Sequence, residues 1–335
     1  MAHEIEGSRF AYAEGEPTPW HVEEGGIRDN RIPTESVHDL PRCIEAAGLD
    51  VHYEKVPVQL VTDGRAVPGL FAMRRKEDDK ILDGVGVGER YDVLDPKEAL
   101  SFFAPFFDSK AVRFSAAGMI RDGKRYFLTA TVEGSSTEEV TPGDFVRGYL
   151  VMASSMDRSL LTSINFTAVR VVCNNTLSVM VGTEDEAAIR KIRVKHTASQ
   201  RATLNQIQEI VDVAQRGFTA TVEQYRKLAQ APIVREDLER YVRIALDFPT
   251  EEAEQSTRGD NIVERVMELA ENGQGTNLAG TRGTLWGAYN AVTEYLSHEY
   301  GRSEDARVDS LMFGVNRDKS SKALELAVSM AGSAQ

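Results

Sequence analysis

The chain has 335 residues, 41% of them hydrophobic and 27% charged, which is the make-up of a folded globular protein with room for one large domain or two ordinary ones. Its formal net charge of −13 excludes a protein that coats nucleic acid by bulk charge, yet leaves room for a local basic groove, because screening confines distant acids to roughly 8–10 Å. No stretch approaches the roughly 18 apolar residues of a membrane span, residues 1–10 lack the apolar run of a signal peptide, and the two cysteines, Cys43 and Cys173, suit a reducing compartment, so a cytoplasmic protein without membrane attachment is expected.

Near the N-terminus, Val37, Leu40, Ile44 and Ala47 recur at spacings of three and four ahead of Gly48, which predicts a short amphipathic helix with a glycine C-cap. Residues 51–58, 67–73 and 81–87 read as strands, separated by turn chemistry at Asp63-Gly64 and Asp78-Asp79. Asp95-Pro96 opens a helix with its apolar body over 99–107, and 112–120 with 126–132 flank Asp122-Gly123 as a hairpin. Residues 145–154 and 160–170 are further strand candidates, and 176–181 a helix candidate. From about residue 197 the period turns helical: Leu204, Ile207, Val211, Ala214, Phe218, Val222 and Tyr225 share one face before Pro232 ends the run. Helices are predicted over 235–246, 262–269, 284–300 and 319–330, with a polar, acidic connection at 251–260 and a loop at Asn272-Gly273-Gln274-Gly275. The expected fold class is α+β: an antiparallel, strand-rich N-terminal half with hairpins and one packed helix, and a mostly helical C-terminal half. The expected division is a core domain over 1–196 and a helical domain over 197–335.

Motifs for chemistry are sparse. Gly84-Val85-Gly86-Val87-Gly88 has Glu89 rather than a helix behind it, so it reads as a strand or bulge and not as a phosphate loop. None of the six histidines stands at metal-ligand spacing from another His or Cys, Cys173 has no nearby histidine, and Ser154, Ser155 and Ser163 lack a nucleophile elbow, so no catalytic residue, metal or cofactor is assigned. Charge is more informative. Residues 187–208 contain no acid but carry Arg190, Lys191, Arg193, Lys195, His196 and Arg201. As a strand, Arg193 and Lys195 would share one face, a shape suited to phosphate contacts, with Arg170 alongside. Trp286 and Tyr289 recur on one helix face among Gly287, Ala288 and Ala291, which describes a closely packed helix and equally a platform for base stacking. Arg74-Arg75-Lys76 and Arg121 with Lys124-Arg125 are lesser basic clusters at hairpin ends.

Three strings, Pro19-Trp20-His21, Arg170-Val171-Val172-Cys173-Asn174-Asn175-Thr176-Leu177 and the segment from Thr281 to Tyr295, resemble an uncharacterised family of phage- and plasmid-borne proteins, a laterally transferred domain of unknown function. Members of that family commonly carry a His-Asp-Gly-Ser-like turn ahead of the Arg-Val-Val-Cys string; here Ser155-Met156-Asp157-Arg158-Ser159 keeps Asp157 and Ser159 without the histidine and glycine. The order of elements is also similar to that of phage single-strand annealing proteins of the Red-beta, RecT and Erf types, a fold-level analogy. The resemblance implies a bacterial host cell and work in recombination, replication or anti-defence.

The functional expectation is a homo-oligomeric single-stranded DNA binding and annealing protein, active without nucleotide or metal. Arg170, Arg190, Lys191, Arg193, Lys195 and Arg201 would hold phosphates, and Trp286 and Tyr289 would stack bases. Two alternatives stand beside it: a protein-binding module that inhibits a host factor, and a metal-dependent nuclease built from scattered carboxylates.

Overall fold

The computed structural model describes residues 10–15, 30–101, 103–133, 137–157, 159–160, 163–172, 175–177, 200–251, 256–301 and 304–333. They fall into two units. One takes its described residues from 1–133, 150–165 and 193–208, and the other from 134–149, 166–192 and 209–335. The protein is α+β, as the hydrophobic periods predict, and residues 134–149 and the described part of 166–192 group with the helical residues.

In the first unit, β1 (Phe10–Ala13) pairs in parallel with β2 (Arg31–Ile32). The helix α1 (Leu40–Ala46) starts where the Asp39 carboxylate accepts the Arg42 N–H, and stops at Gly48, whose φ of +65° favours glycine. A separate three-stranded antiparallel sheet follows: β3 (Tyr53–Gln59), β4 (Ala66–Arg75) and β5 (Lys80–Val87). The Gly84–Gly88 run lies in β5, with Gly84 at φ +67° where the β4–β5 register shifts, as a glycine bulge should. The single helix expected after Asp95 is two, α2 (Pro96–Ser101) and α3 (Ala104–Asp108), since Pro105 brings no N–H to continue the first. The strands β6 (Val112–Ile120) and β7 (Arg125–Val132) pair over their full length as expected, and β1 lies on the other edge of β6. The chain then leaves for β8 (Thr137–Thr141) and returns through β9 (Asp144–Ser155), whose second half pairs with β7 from Ala130↔Leu150 to Arg125↔Ser155. Helices α1 and α3 pack on β6, and their apolar faces close a core with Leu40, Cys43, Ile44, Phe107 and Phe114 fully buried. Burial, with the Asp39 charge beside it, pushes the Cys43 thiol up to about 12, so it is an inert core group.

The second unit holds β8, the first half of β9, the end of β10 (Ser163–Arg170) and β11 (Asn175–Leu177), which pairs antiparallel with β10. A helix expected from residue 176 is thus corrected: Asn175, Thr176 and Leu177 continue the sheet, where β10 satisfies their backbone groups; residues 178–181 lie outside the described residues. The helices are α4 (Gln200–Leu228), which belongs to this unit from residue 209 onward, α5 (Arg235–Ala245), α6 (Thr257–Asn272), α7 (Leu285–Glu294), α8 (Glu304–Phe313) and α9 (Val315–Ser333). α6 begins five residues earlier than its apolar period, because the Ser256 hydroxyl accepts the Gly259 N–H and caps it. All ten residues of α7 are buried, against α5, α6, α9 and β11. A π-helical turn, Tyr295–Glu299, follows it, closed by the Tyr300 N–H to the Tyr295 carbonyl at 2.8 Å.

The start of α7 depends on Gly287. The Thr284 hydroxyl accepts its N–H at 3.2 Å, and a β-carbon there would collide with the Thr281 carbonyl. Gly287→Ala should therefore cost about 1–3 kcal/mol and lower Tm by several degrees in thermal unfolding. Gly332→Ala, where a β-carbon meets nothing within 4 Å, should leave Tm unchanged or slightly raised.

Candidate functional site

Arg170 ends β10 and Asp144 begins β9, and both side chains are fully buried. Their contact is bidentate: Arg170 Nε donates to Asp144 Oδ1 at 2.8 Å and Nη2 to Oδ2 at 2.6 Å. The second carboxylate oxygen also accepts the Trp286 indole N–H at 2.9 Å. The guanidinium lies 5.5 Å from the Trp286 ring centroid, within cation–π range. Its remaining N–H groups reach outward to the loop that joins α6 to α7, donating to the carbonyls of Gln274 (3.2 Å) and Gly275 (3.3 Å) and to Thr281 Oγ1 (3.3 Å).

The same loop is held from α7. The Glu294 carboxylate accepts the Gln274 N–H at 3.2 Å with both oxygens. Burial raises the Glu294 pKa, against the pull of that N–H and of the Arg170 charge. Close approach is possible because Gly273 and Gly275 have no side chain: a β-carbon would meet Glu294 at 2.6 Å in one case and Arg170 Nη2 at 3.0 Å in the other. Beneath Trp286, Tyr225 lies with ring centroids 4.8 Å apart, and Tyr289 stacks on Tyr225 at 6.0 Å. Burial, with Tyr289 beside it, raises the Tyr225 phenol well above its ordinary range, so it stays neutral.

The sequence-predicted site residues separate accordingly. Arg170, Trp286 and Tyr289 are each fully buried, so their assignment to phosphate contact and base stacking is corrected: their polar groups are engaged inside the unit and their ring faces are packed. Arg201 stands in the first turn of α4. Arg190, Lys191, Arg193 and Lys195 lie outside the described residues. In the first of the lesser basic clusters the arginines are ion-paired: Arg74 meets Glu54 and Asp79, and Arg75 binds Asp78 at 2.6 Å. Asp144 and Glu294, which organise the cluster, escaped the sequence reading, because a lone acid at a strand start or on an apolar helix has no periodic signature.

The turn retained from the resemblance is a structural one. Burial pushes the Asp157 carboxyl up, but hydrogen bonds from the Ser159 hydroxyl and N–H and from Ser155, with the Arg125 charge nearby, outweigh it and hold the group below its usual range. Arg125 Nε donates to Ser159 Oγ at 2.9 Å, and the Met156 N–H to the Lys124 carbonyl at 2.7 Å, so the turn is fastened to the β6–β7 hairpin end. Among the described residues, no group of three or more His, Cys, Asp or Glu is placed to hold a metal ion, and no helix is long and apolar enough to cross a membrane.

The model of a domain of unknown function, DUF932, matches residues 85–318. The chain belongs to the DUF932 family. The match runs from β5 into α9 and includes Asp144, Arg170, Glu294 and the basic residues 190–201. Neither a curated protein nor a solved structure matches the chain.

Substitution within the buried cluster of this DUF932 protein should register directly in its stability. Asp144→Ala leaves the Arg170 guanidinium buried without its counter-charge and should cost about 3–5 kcal/mol in denaturant unfolding, whereas Trp286→Phe, which removes one hydrogen bond to a charge, should cost about 2 kcal/mol. The raised Glu294 pKa penalises folding as pH rises from the ordinary glutamate value of 4.5 to the higher folded value, and no further beyond it. Glu294→Gln should therefore match the parent below pH 4.5 and gain in relative Tm above it, levelling off once the folded carboxyl is ionised.

Proposed function

We propose that the protein binds single-stranded DNA through the basic segment around Arg190, Lys191, Arg193, Lys195 and Arg201, and promotes annealing without nucleotide or metal. The observation that carries this reading is the charge pattern: a chain of net charge −13 keeps 22 consecutive residues, 187–208, free of acid and places five Lys or Arg there. Such a segment attracts a polyanion locally, while the acidic remainder opposes unspecific coating. Arg201 in the first turn of α4 supports it, since it puts the end of the basic segment at the start of a 29-residue helix. With Arg170 turned inward, the phosphate-contacting set is Arg190, Lys191, Arg193, Lys195 and Arg201, and bases are left free to pair rather than stacked on Trp286 and Tyr289. In this reading the protein works as a homo-oligomer in the cytoplasm of a bacterial host, as a product of a phage or plasmid.

Binding of a labelled oligonucleotide, followed by fluorescence anisotropy across a salt series, tests this. Five phosphate contacts predict a slope of log Kobs against log[salt] of about −3.5 for single strands, and the Arg190→Ala/Lys191→Ala/Arg193→Ala/Lys195→Ala variant should lose most of the affinity and flatten the slope to about −0.7. Absence of binding, or affinity unchanged by salt, contradicts the proposal. Magnesium-dependent loss of the labelled strand would instead identify a nuclease.

A further inference from the structure

Glu294 is a buried carboxylate with little to satisfy it. It is 8% exposed, on a helix whose ten residues are all buried. A carboxylate can accept about four hydrogen bonds. Among the described residues Glu294 receives one donor, the Gln274 N–H, shared between its two oxygens at 3.2 Å each, and it forms no ion pair. The charged groups that face it are Arg170 from β10, Arg265 from α6 and Glu299 from the π-helical turn. Each is committed elsewhere. Arg170 donates to Asp144, to the Gln274 and Gly275 carbonyls and to Thr281. Arg265 and Glu299 bind one another at 2.8 Å, so their effects on Glu294 largely cancel. The start of the loop between α6 and α7 covers the carboxylate: a β-carbon on Gly273 would lie 2.6 Å from Oε2. Two side chains hold the next residues, Glu294 at the Gln274 N–H and Arg170 at the Gln274 and Gly275 carbonyls. Beyond these, short turn bonds join them to the rest of the loop, from the Thr276 N–H to the Gly273 carbonyl at 3.3 Å and from the Leu278 N–H to the Gly275 carbonyl at 3.2 Å. An ionised Glu294 therefore has two ways out of uncompensated burial: it takes a proton, or it admits water by lifting the segment that covers it. A glycine-flanked segment with so few ties belongs to the low-stability end of a structure, where local opening starts.

We propose that Glu294 is a proton-operated latch on residues 273–276: protonated, it keeps them closed, and ionised, it releases them. The sign follows from which state hydrates the carboxylate. Opening lets water reach it and favours the charged form. The closed state then binds the proton more tightly than the open one, and opening becomes easier as pH rises through the closed-state value. Loss of the Gln274 N–H works the other way. Burial outweighs it, since the Glu294 carboxyl stands above its ordinary range in the closed state with burial as the largest cause. Below the ordinary glutamate value of 4.5 both states hold the proton and the latch stays shut. Opening also takes the Gln274 and Gly275 carbonyls away from Arg170, so a proton lost at Glu294 is felt at the buried Asp144–Arg170 pair.

Amide hydrogen exchange of the full chain across a pH series, corrected for intrinsic exchange, reads the latch without any ligand. In the parent, protection of the amides of Gln274, Thr276 and Leu278 should fall as pH rises above 4.5, by up to about tenfold per pH unit, and then level off. Across that range these amides should exchange at least about tenfold faster than those of α9, which marks the opening as local. In Glu294→Gln the neutral amide keeps the acceptor and carries no charge, so loop protection should be high and independent of pH. Loop protection that does not change with pH in the parent overturns the proposal, whatever the variant does. So does an equal fall in the parent and in Glu294→Gln, which would assign the proton to another group. Loop amides that exchange in step with those of α9 at every pH overturn it too, since the segment would then open only when the whole unit unfolds.

Discussion

The second unit is organised around one buried ion pair. Asp144 and Arg170 are 26 residues apart in the chain, have no exposed side-chain surface, and between them make hydrogen bonds to Trp286, Gln274, Gly275 and Thr281. A pair stripped of water is stable only when every charged group is satisfied, and here the loop carbonyls and the indole complete the set. The consequence is geometric. The strands β9 and β10, the loop after α6 and the start of α7 must all be in place together for the cluster to close. Glu294 adds a second tie to the same loop at the cost of a buried carboxylate.

This constraint explains why a segment rich in aromatic and small residues looked like a binding platform. Trp286, Tyr289, Gly287 and Ala288 are the residue types of a stacking surface and equally those of a helix packed on all sides. Sequence spacing does not distinguish the two, since all ten residues of α7 are buried, polar ones included. Arg170 misled in the same way. A lone arginine at a strand end reads as a surface cation until its partner is known, and Asp144 is too far away in the chain to be linked by pattern.

Much of the first unit was legible because its signals are local. The β6–β7 hairpin follows from alternation on either side of Asp122-Gly123, and α1 from its four apolar residues and Gly48. α8 escaped notice because half of its residues are polar and one of its buried residues is Asp309, so apolar spacing does not mark it. β11 was misread because three residues carry too little pattern, and only pairing with β10 makes them a strand. The chain passes between the two units within β9 and β10, where the hydrophobic period does not change. Membership of the DUF932 family spans both units and brings no activity with it.

The inward-facing cluster, which builds the fold, is thus distinct from the acid-free basic segment, for which we propose the ligand. Amide hydrogen exchange of the full chain, with and without a single-stranded oligonucleotide, tests that separation most directly. The account predicts new protection confined to 187–208, with amides of 144–147, 168–172 and 273–290 unchanged because the buried cluster already holds them. Protection appearing instead at 168–172 and 281–290, with 187–208 unaffected, would contradict it.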